Sequence, residues 1–229
     1  MRPVAVAYIA AAVVLTAAAA YVAFLPQYSG TLVFWGLASG PSVVLAAVAA
    51  GWGRREQLLR GWLSPRWGDF SRGLAGGVVL FATAWGFCRV VMPVGSPREI
   101  WLVTLYGQIG DPRVLQAHAP EVGLAIVVTA VAEELVWRGM VTQILADRVG
   151  SRTAWIWAAV LYALAQLPTA WSLRAGGGPI DPVLVVGALG GALLWGLMAQ
   201  RLGRLAPGIL AHAMFDWAVV MMFRFWGPG

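Results

Sequence analysis

The sequence has no lysine, one cysteine, two histidines and few charges of either sign. Each shortage removes a class of protein. The single cysteine, Cys88, excludes an internal disulfide and any cysteine-rich metal site; inside its apolar run it reads as filler. Two histidines far apart in the chain, with no H-E-x-x-H, leave out the usual zinc ligand supply, so no metal or other cofactor is expected. Charged residues make up 11% of the 229 positions and apolar residues 60%, against about 25% and about 45–50% in soluble domains. That balance cannot cover a water-facing surface, which excludes a soluble globular domain. No internal repeat, low-complexity tract or linker interrupts the chain, so one domain over residues 1–229 is expected.

What is present is long apolar runs. A bilayer core of about 30 Å takes about 20 apolar residues per helix, and seven stretches approach that length: Val4–Leu25, Thr31–Trp52, Gly73–Met92, Val122–Leu145, Thr153–Ala170, Val183–Gln200 and Leu205–Phe223. They predict an all-α polytopic transmembrane bundle of about seven helices plus one or two interfacial helices. The first run exceeds the roughly 7–15 residues of a signal-peptide core, so a retained helix is expected.

The net charge of +6 comes entirely from arginine. Arg2, Arg54, Arg55, Arg60, Arg66, Arg72, Arg148, Arg152, Arg201 and Arg204 fall at one set of alternating helix ends, and Arg98, Arg113, Arg174 and Arg224 at the other. By the positive-inside rule this places the N-terminus in the cytoplasm and, with seven spans, the C-terminus outside. The basic balance is then topological: its partner is anionic lipid of the bilayer and not nucleic acid. Zero lysine with abundant alanine, glycine, arginine and valine suggests a GC-rich genome, hence a bacterial or archaeal inner membrane.

Two connections carry patterned apolar residues. Gly53–Arg72 interleaves Leu58, Leu59, Trp62, Leu63 and Trp67 with arginines, which suits either an interfacial amphipathic helix broken at Pro65 or a plain basic loop. Ser96–Glu121 allows a short surface helix through Trp101, Leu102, Leu105, Tyr106 and Ile109, positioned to cover the bundle from outside. Glycine pairs four apart at Gly36/Gly40, Gly73/Gly77 and Gly187/Gly191 read as helix-packing devices. Arg89 snorkels to the headgroups and His118 is a surface histidine.

Ionisable groups inside a span cost at least about 2.5–3.5 kcal/mol each on insertion scales, so several together need pairing or a hydrated cavity. In the fourth span Glu134 and Arg138 lie four apart on one face and can pair, whereas Glu133 is turned about 100° away with no partner in its own helix. In the seventh span His212 and Asp216 are four apart, so a carboxylate there can fix the imidazole tautomer. The fifth span offers Tyr162 and Gln166, followed by Pro168. One reading makes these pairs interhelical glue. The other is a shielded pocket where a carboxylate acts as general base toward water and neighbouring donors bind an oxyanion, the chemistry of peptide hydrolysis within a membrane. A proton-coupled transporter is a third reading, weakened by the lack of paired broken helices.

The blocks E-E-x-x-x-R at Glu133–Arg138, Tyr-x-x-x-Gln at Tyr162–Gln166 and H-x-x-x-D at His212–Asp216 resemble, in order and spacing, the CAAX protease and bacteriocin-processing intramembrane proteases (CPBP, or Abi, family). The run Leu202–His212 looks like the approach to that family's third motif. The resemblance covers about Val122–Phe223, while residues 4–92 match only in hydropathy. It implies that Glu133 activates water, that Glu134 and Arg138 support it, and that His212 with Asp216 binds the oxyanion. The family's second motif ends in a histidine that shares water activation and has a preceding phenylalanine; here those positions are Gln166 and Tyr162. The resemblance thus implies either a protease using a Glu133–Gln166 pair on a membrane-embedded or membrane-anchored peptide, or a catalytically silent scaffold, immunity or regulatory protein.

Overall fold

A chain in lipid must satisfy its backbone hydrogen bonds internally, and these apolar runs do so as helices. The computed structural model describes residues 3–174 and 180–221. Its helices are α1 (Pro3–Ala23), α2 (Leu32–Arg55), α3 (Leu59–Leu63), α4 (Asp69–Val91), α5 (Glu99–Ile109), α6 (Pro112–Ala117), α7 (Ala119–Glu133), α8 (Thr142–Val149), α9 (Ala154–Leu164), α10 (Leu167–Ser172), α11 (Val183–Leu202) and α12 (Ala206–Met221), with a π-helical segment, Glu134–Val141, joining α7 to α8. The protein is an all-α membrane helix bundle.

Local chemistry sets several of the boundaries. Thr31 caps α2, its hydroxyl accepting from Phe34 N–H at 3.3 Å, and Asp111 caps α6 by accepting from Arg113 N–H at 2.7 Å, with Pro112 behind it in the first helical position. Gly203 ends α11 with φ +68°, a left-handed turn suited to glycine, and α12 turns back within three residues.

Helices α1, α2, α4 and α11 are long and apolar enough to cross a membrane by length and composition. Two of the other three expected spans are interrupted, each at polar residues, and the seventh is a continuous helix as far as the described residues run. Val122–Leu145 is α7, the π segment and the start of α8; Thr153–Ala170 is broken between α9 and α10 at Ala165–Gln166; the seventh is the 16-residue α12. The expected end of the seventh run at Phe223, and Arg2 and Arg224, lie outside the described residues.

Helix α12 packs between α4 and α7, α11 lies along α9, and α2 is flanked by α1 and by α7 with its π segment. Three apolar clusters result among the described residues, a small one of Leu80, Trp195 and Ala211 and two larger ones. One, around Trp62, Val136, Trp137, Val141 and Ala159, holds the arginine-rich end. The other, around Phe34, Leu105, Ile109, Val122 and Ile126, holds the opposite end. Outward-facing Val14, Val44, Val78, Leu124 and Trp157 are exposed, as a lipid-facing surface requires.

Both interfacial segments contain helix. Within Gly53–Arg72, α3 buries Trp62 against the bundle. Within Ser96–Glu121, α5 turns Leu102, Leu105 and Ile109 inward. Of the three glycine pairs, Gly73/Gly77 packs helices closely: added Cβ atoms would meet Leu210 at 2.7 Å and Met214 at 3.2 Å on α12. The other two pairs depart from the expectation. Gly36, Gly40 and Gly187 meet nothing within 4 Å, and Gly191 makes room for Trp195 of its own helix. The face of α11 bearing Gly187 borders a cavity instead of another helix.

Arg204 also differs from a free topological charge. Its Nε donates to both oxygens of Asp69 at 2.9 and 3.0 Å, Nη2 donates to the same carboxylate, and both side chains are buried. The pair clasps the start of α4 to the α11–α12 turn.

Candidate active site

Consecutive residues on a helix point about 100° apart, and here that divergence brackets one ring. Glu134 Oε1 lies 3.1 Å from Nδ1 of His212, while Glu133 Oε2 lies 3.8 Å from Nε2. Asp216, one turn along α12, places Oδ2 3.3 Å from the same Nε2. The imidazole is thus set between three carboxylates. The partner at hydrogen-bonding distance from Nδ1 is Glu134 from another helix, where the sequence had offered Asp216 alone for holding the ring.

The π segment begins at Glu134. Its wider turn, marked by Thr142 Oγ1 donating to the Trp137 carbonyl five residues back at 2.7 Å, is a feature found often at functional sites. Within it Arg138 Nη1 approaches Glu134 Oε1 to 3.1 Å, both side chains being fully buried. The distance is that of an ion pair, but neither Nη atom of Arg138 makes a directed hydrogen bond to a described residue. Charge and two aromatic faces hold the guanidinium: the rings of Tyr162 and Trp195 lie 5.3 and 5.1 Å away.

Glu133, which has no partner in its own helix, receives one from α9: Tyr162 Oη donates to Oε2 at 2.6 Å. Gln166 sits one turn further, where α9 gives way to α10; it is buried, and its amide makes no hydrogen bond to a described side chain or backbone group. Glu133, Tyr162, Gln166, His212 and Asp216 all line one cavity of about 410 Å³. The structure therefore brings the three sequence blocks to one place, with Glu134 and Arg138 behind the lining.

Trp195 was missed in the sequence. Its ring stacks on His212 with centroids 3.6 Å apart and planes 15° apart, and its other contacts reach Arg138 and Phe215. The signal was Gly191, four residues earlier, whose missing side chain lets the indole fold back over α11.

The rest of the wall is mostly apolar, built from α1, α2, α4, α5, α7 and α11, with Thr16, Ser42, Thr83 and Thr129 among its lining residues. Leu102, Leu105 and Tyr106 of α5 close one side, and Cys88, which the sequence made filler, lies on the α4 side. His118 is exposed at the α6–α7 junction, and Arg89 lies over the Trp85 ring at 5.2 Å. Among the described residues, no group of three or more His, Cys, Asp or Glu side chains has the arrangement of a metal site.

Residues 116–218 match the Rce1-like family, described as type II CAAX prenyl endopeptidase. No curated protein and no solved structure matches the chain. The matched stretch runs from α6 to α12, somewhat under half of the chain, and contains each residue of the polar cluster; over it the chain is similar to the Rce1-like, CAAX-protease family.

Proposed function

We propose that the protein is an intramembrane endopeptidase in which Glu133 activates water for attack on a peptide carbonyl. The observation that carries this reading is the Glu133 carboxylate, bound by Tyr162 at 2.6 Å and facing a largely apolar cavity beside His212. Interhelical glue needs no such cavity.

Glu133 takes a proton from water as the oxygen attacks the carbonyl carbon, and returns it to the leaving nitrogen as the C–N bond breaks. The oxyanion receives Nε2–H of His212, whose ring Glu134 and Trp195 orient. Gln166 replaces a titratable histidine with an amide, which holds water through its oxygen and polarises the carbonyl through its NH₂. No step requires a metal. Asp216 sets the position of His212, and Arg138 balances Glu134.

The apolar walls favour a substrate that presents its scissile bond from within or beside the bilayer, such as the anchored end of a membrane protein. The arginine distribution supports a single multi-pass domain with the N-terminus cytoplasmic and the C-terminus outside, and the lysine-free composition rich in alanine, glycine, arginine and valine supports a prokaryotic inner membrane. Gln166 favours a second reading, a family member that has lost hydrolysis and acts by binding.

The test is incubation of detergent-purified wild type, Glu133→Gln and Gln166→His with a membrane-proteome peptide library, read by mass spectrometry. Products from wild type and none from Glu133→Gln support the protease. Products from Gln166→His alone support the silent form.

A further inference from the structure

A second cleft lies at the arginine-rich end, where α2 passes into α3, with a volume of about 970 Å³. Arg54, Gln57, Arg60 and Ser64 are its polar lining residues, and Leu59, Leu63 and Pro65 its apolar ones. Gln57 adopts φ +59°, a conformation L-residues rarely take, and this turn folds α3 back beside α2 to make the concavity. The last carbonyls of α2 do not oppose an anion there: those of Trp52, Gly53 and Arg54 accept from Glu56, Leu58 and Gln57 N–H at 3.0, 2.8 and 3.1 Å. Arg54 and Arg60 form no ion pair with a described residue. The one nearby acid of α4, Asp69, is taken by Arg204.

We infer that this cleft binds one anionic glycerophospholipid, its phosphate between Arg54 and Arg60 and its glycerol and upper acyl chain along Leu59 and Leu63. Two guanidiniums beside an apolar wall match a ligand with a phosphate next to hydrocarbon. Leu63, Trp67 and Phe70 are exposed at 41, 102 and 71%, an aromatic and apolar fringe of the kind that sits at headgroup level. The cleft is joined to the catalytic helices. Trp62 of α3 fills the slot between Gly53 and Gly139, the latter in the π segment, and its carbonyl accepts from Leu205 N–H at 2.9 Å. A lipid that pins α3 therefore steadies the π segment that carries Glu134 and Arg138. This holds whether or not the protein hydrolyses peptides.

Native mass spectrometry of detergent-purified protein titrated with dioleoyl phosphatidylglycerol, dioleoyl phosphatidylcholine or inorganic phosphate tests it. Wild type is expected to retain one phosphatidylglycerol about tenfold or more tightly than phosphatidylcholine, with a matching rise in Tm, as two near-surface arginines imply. Arg54→Gln with Arg60→Gln brings the two lipids level, the Arg54→Lys, Arg60→Lys pair recovers most of the preference, and Arg148→Gln with Arg152→Gln at the same end leaves it intact. Equal retention of the two lipids by wild type, equal loss in the Arg148/Arg152 control, or displacement of the lipid by millimolar phosphate overturns the inference.

Discussion

Trp195 lies flat on His212, ring centroids 3.6 Å apart, while Glu134 approaches the edge of the same imidazole at Nδ1. One face and one edge of the ring are thereby fixed, leaving Nε2 toward Glu133, Asp216 and the cavity.

Removing the face should loosen the ring. Trp195→Ala is expected to lower stability by about 3–5 kcal/mol, whereas Trp195→Phe keeps an aromatic face, folds, and loses hydrolysis by up to about 100-fold through misplacement of His212. Thermal unfolding in detergent and kcat on any cleaved peptide separate the two effects. Unchanged kcat in Trp195→Phe would remove Trp195 from the account.

Glu134→Gln leaves the Arg138 guanidinium buried without its counter-charge. A cost of about 3–5 kcal/mol is expected, and Arg138→Met in the same chain should restore much of it, because the neutral pair no longer buries a lone charge. A double-mutant cycle on Tm measures this.

How much of this was legible in advance follows the kind of signal. Apolar runs of about 20 residues give α1, α2, α4 and α11 directly, and i, i+4 spacing gives Glu134–Arg138 and His212–Asp216. Contacts across the fold leave no such spacing. The Glu134–His212 contact joins residues 78 positions apart, and the Asp69–Arg204 clasp joins residues 135 apart, so Arg204 reads in the sequence as one more surface charge. The π segment is equally silent, since its residues have no composition that separates them from an α-helix. Glycine spacing misled at Gly187 because it reports a missing side chain and not what occupies the space.

Asp181, ahead of α11, is buried with one oxygen accepting from Val183 N–H at 2.9 Å and the other unpartnered among the described residues. Burial raises its carboxyl from 3.8 to about 6. An acid raised in the folded state favours folding while it holds its proton, so its contribution falls as pH rises from about 4 to about 6 and is flat above. Asp181→Asn keeps the acceptor for Val183, and should raise Tm at pH 7 and flatten the Tm profile across that window. A variant as pH-dependent as wild type would contradict this.

Gly187→Leu places a side chain into the cavity, where an added Cβ meets nothing within 4 Å. Folding should be unaffected, and cleavage of substrates with bulky apolar flanks should fall more than cleavage of small ones, as a rise in KM. A drop in Tm with no change in selectivity would return Gly187 to a packing role.

The central claim is that Glu133 activates a water that attacks the peptide directly. Single-turnover cleavage in H₂¹⁸O, followed by mass spectrometry of the product and of the enzyme peptide holding Glu133, tests it most directly. The account predicts one ¹⁸O in the new C-terminal carboxylate, none in Glu133, and loss of product by about 100-fold or more in a folded Glu133→Gln variant. Label entering Glu133 first, or undiminished cleavage by Glu133→Gln, would contradict it.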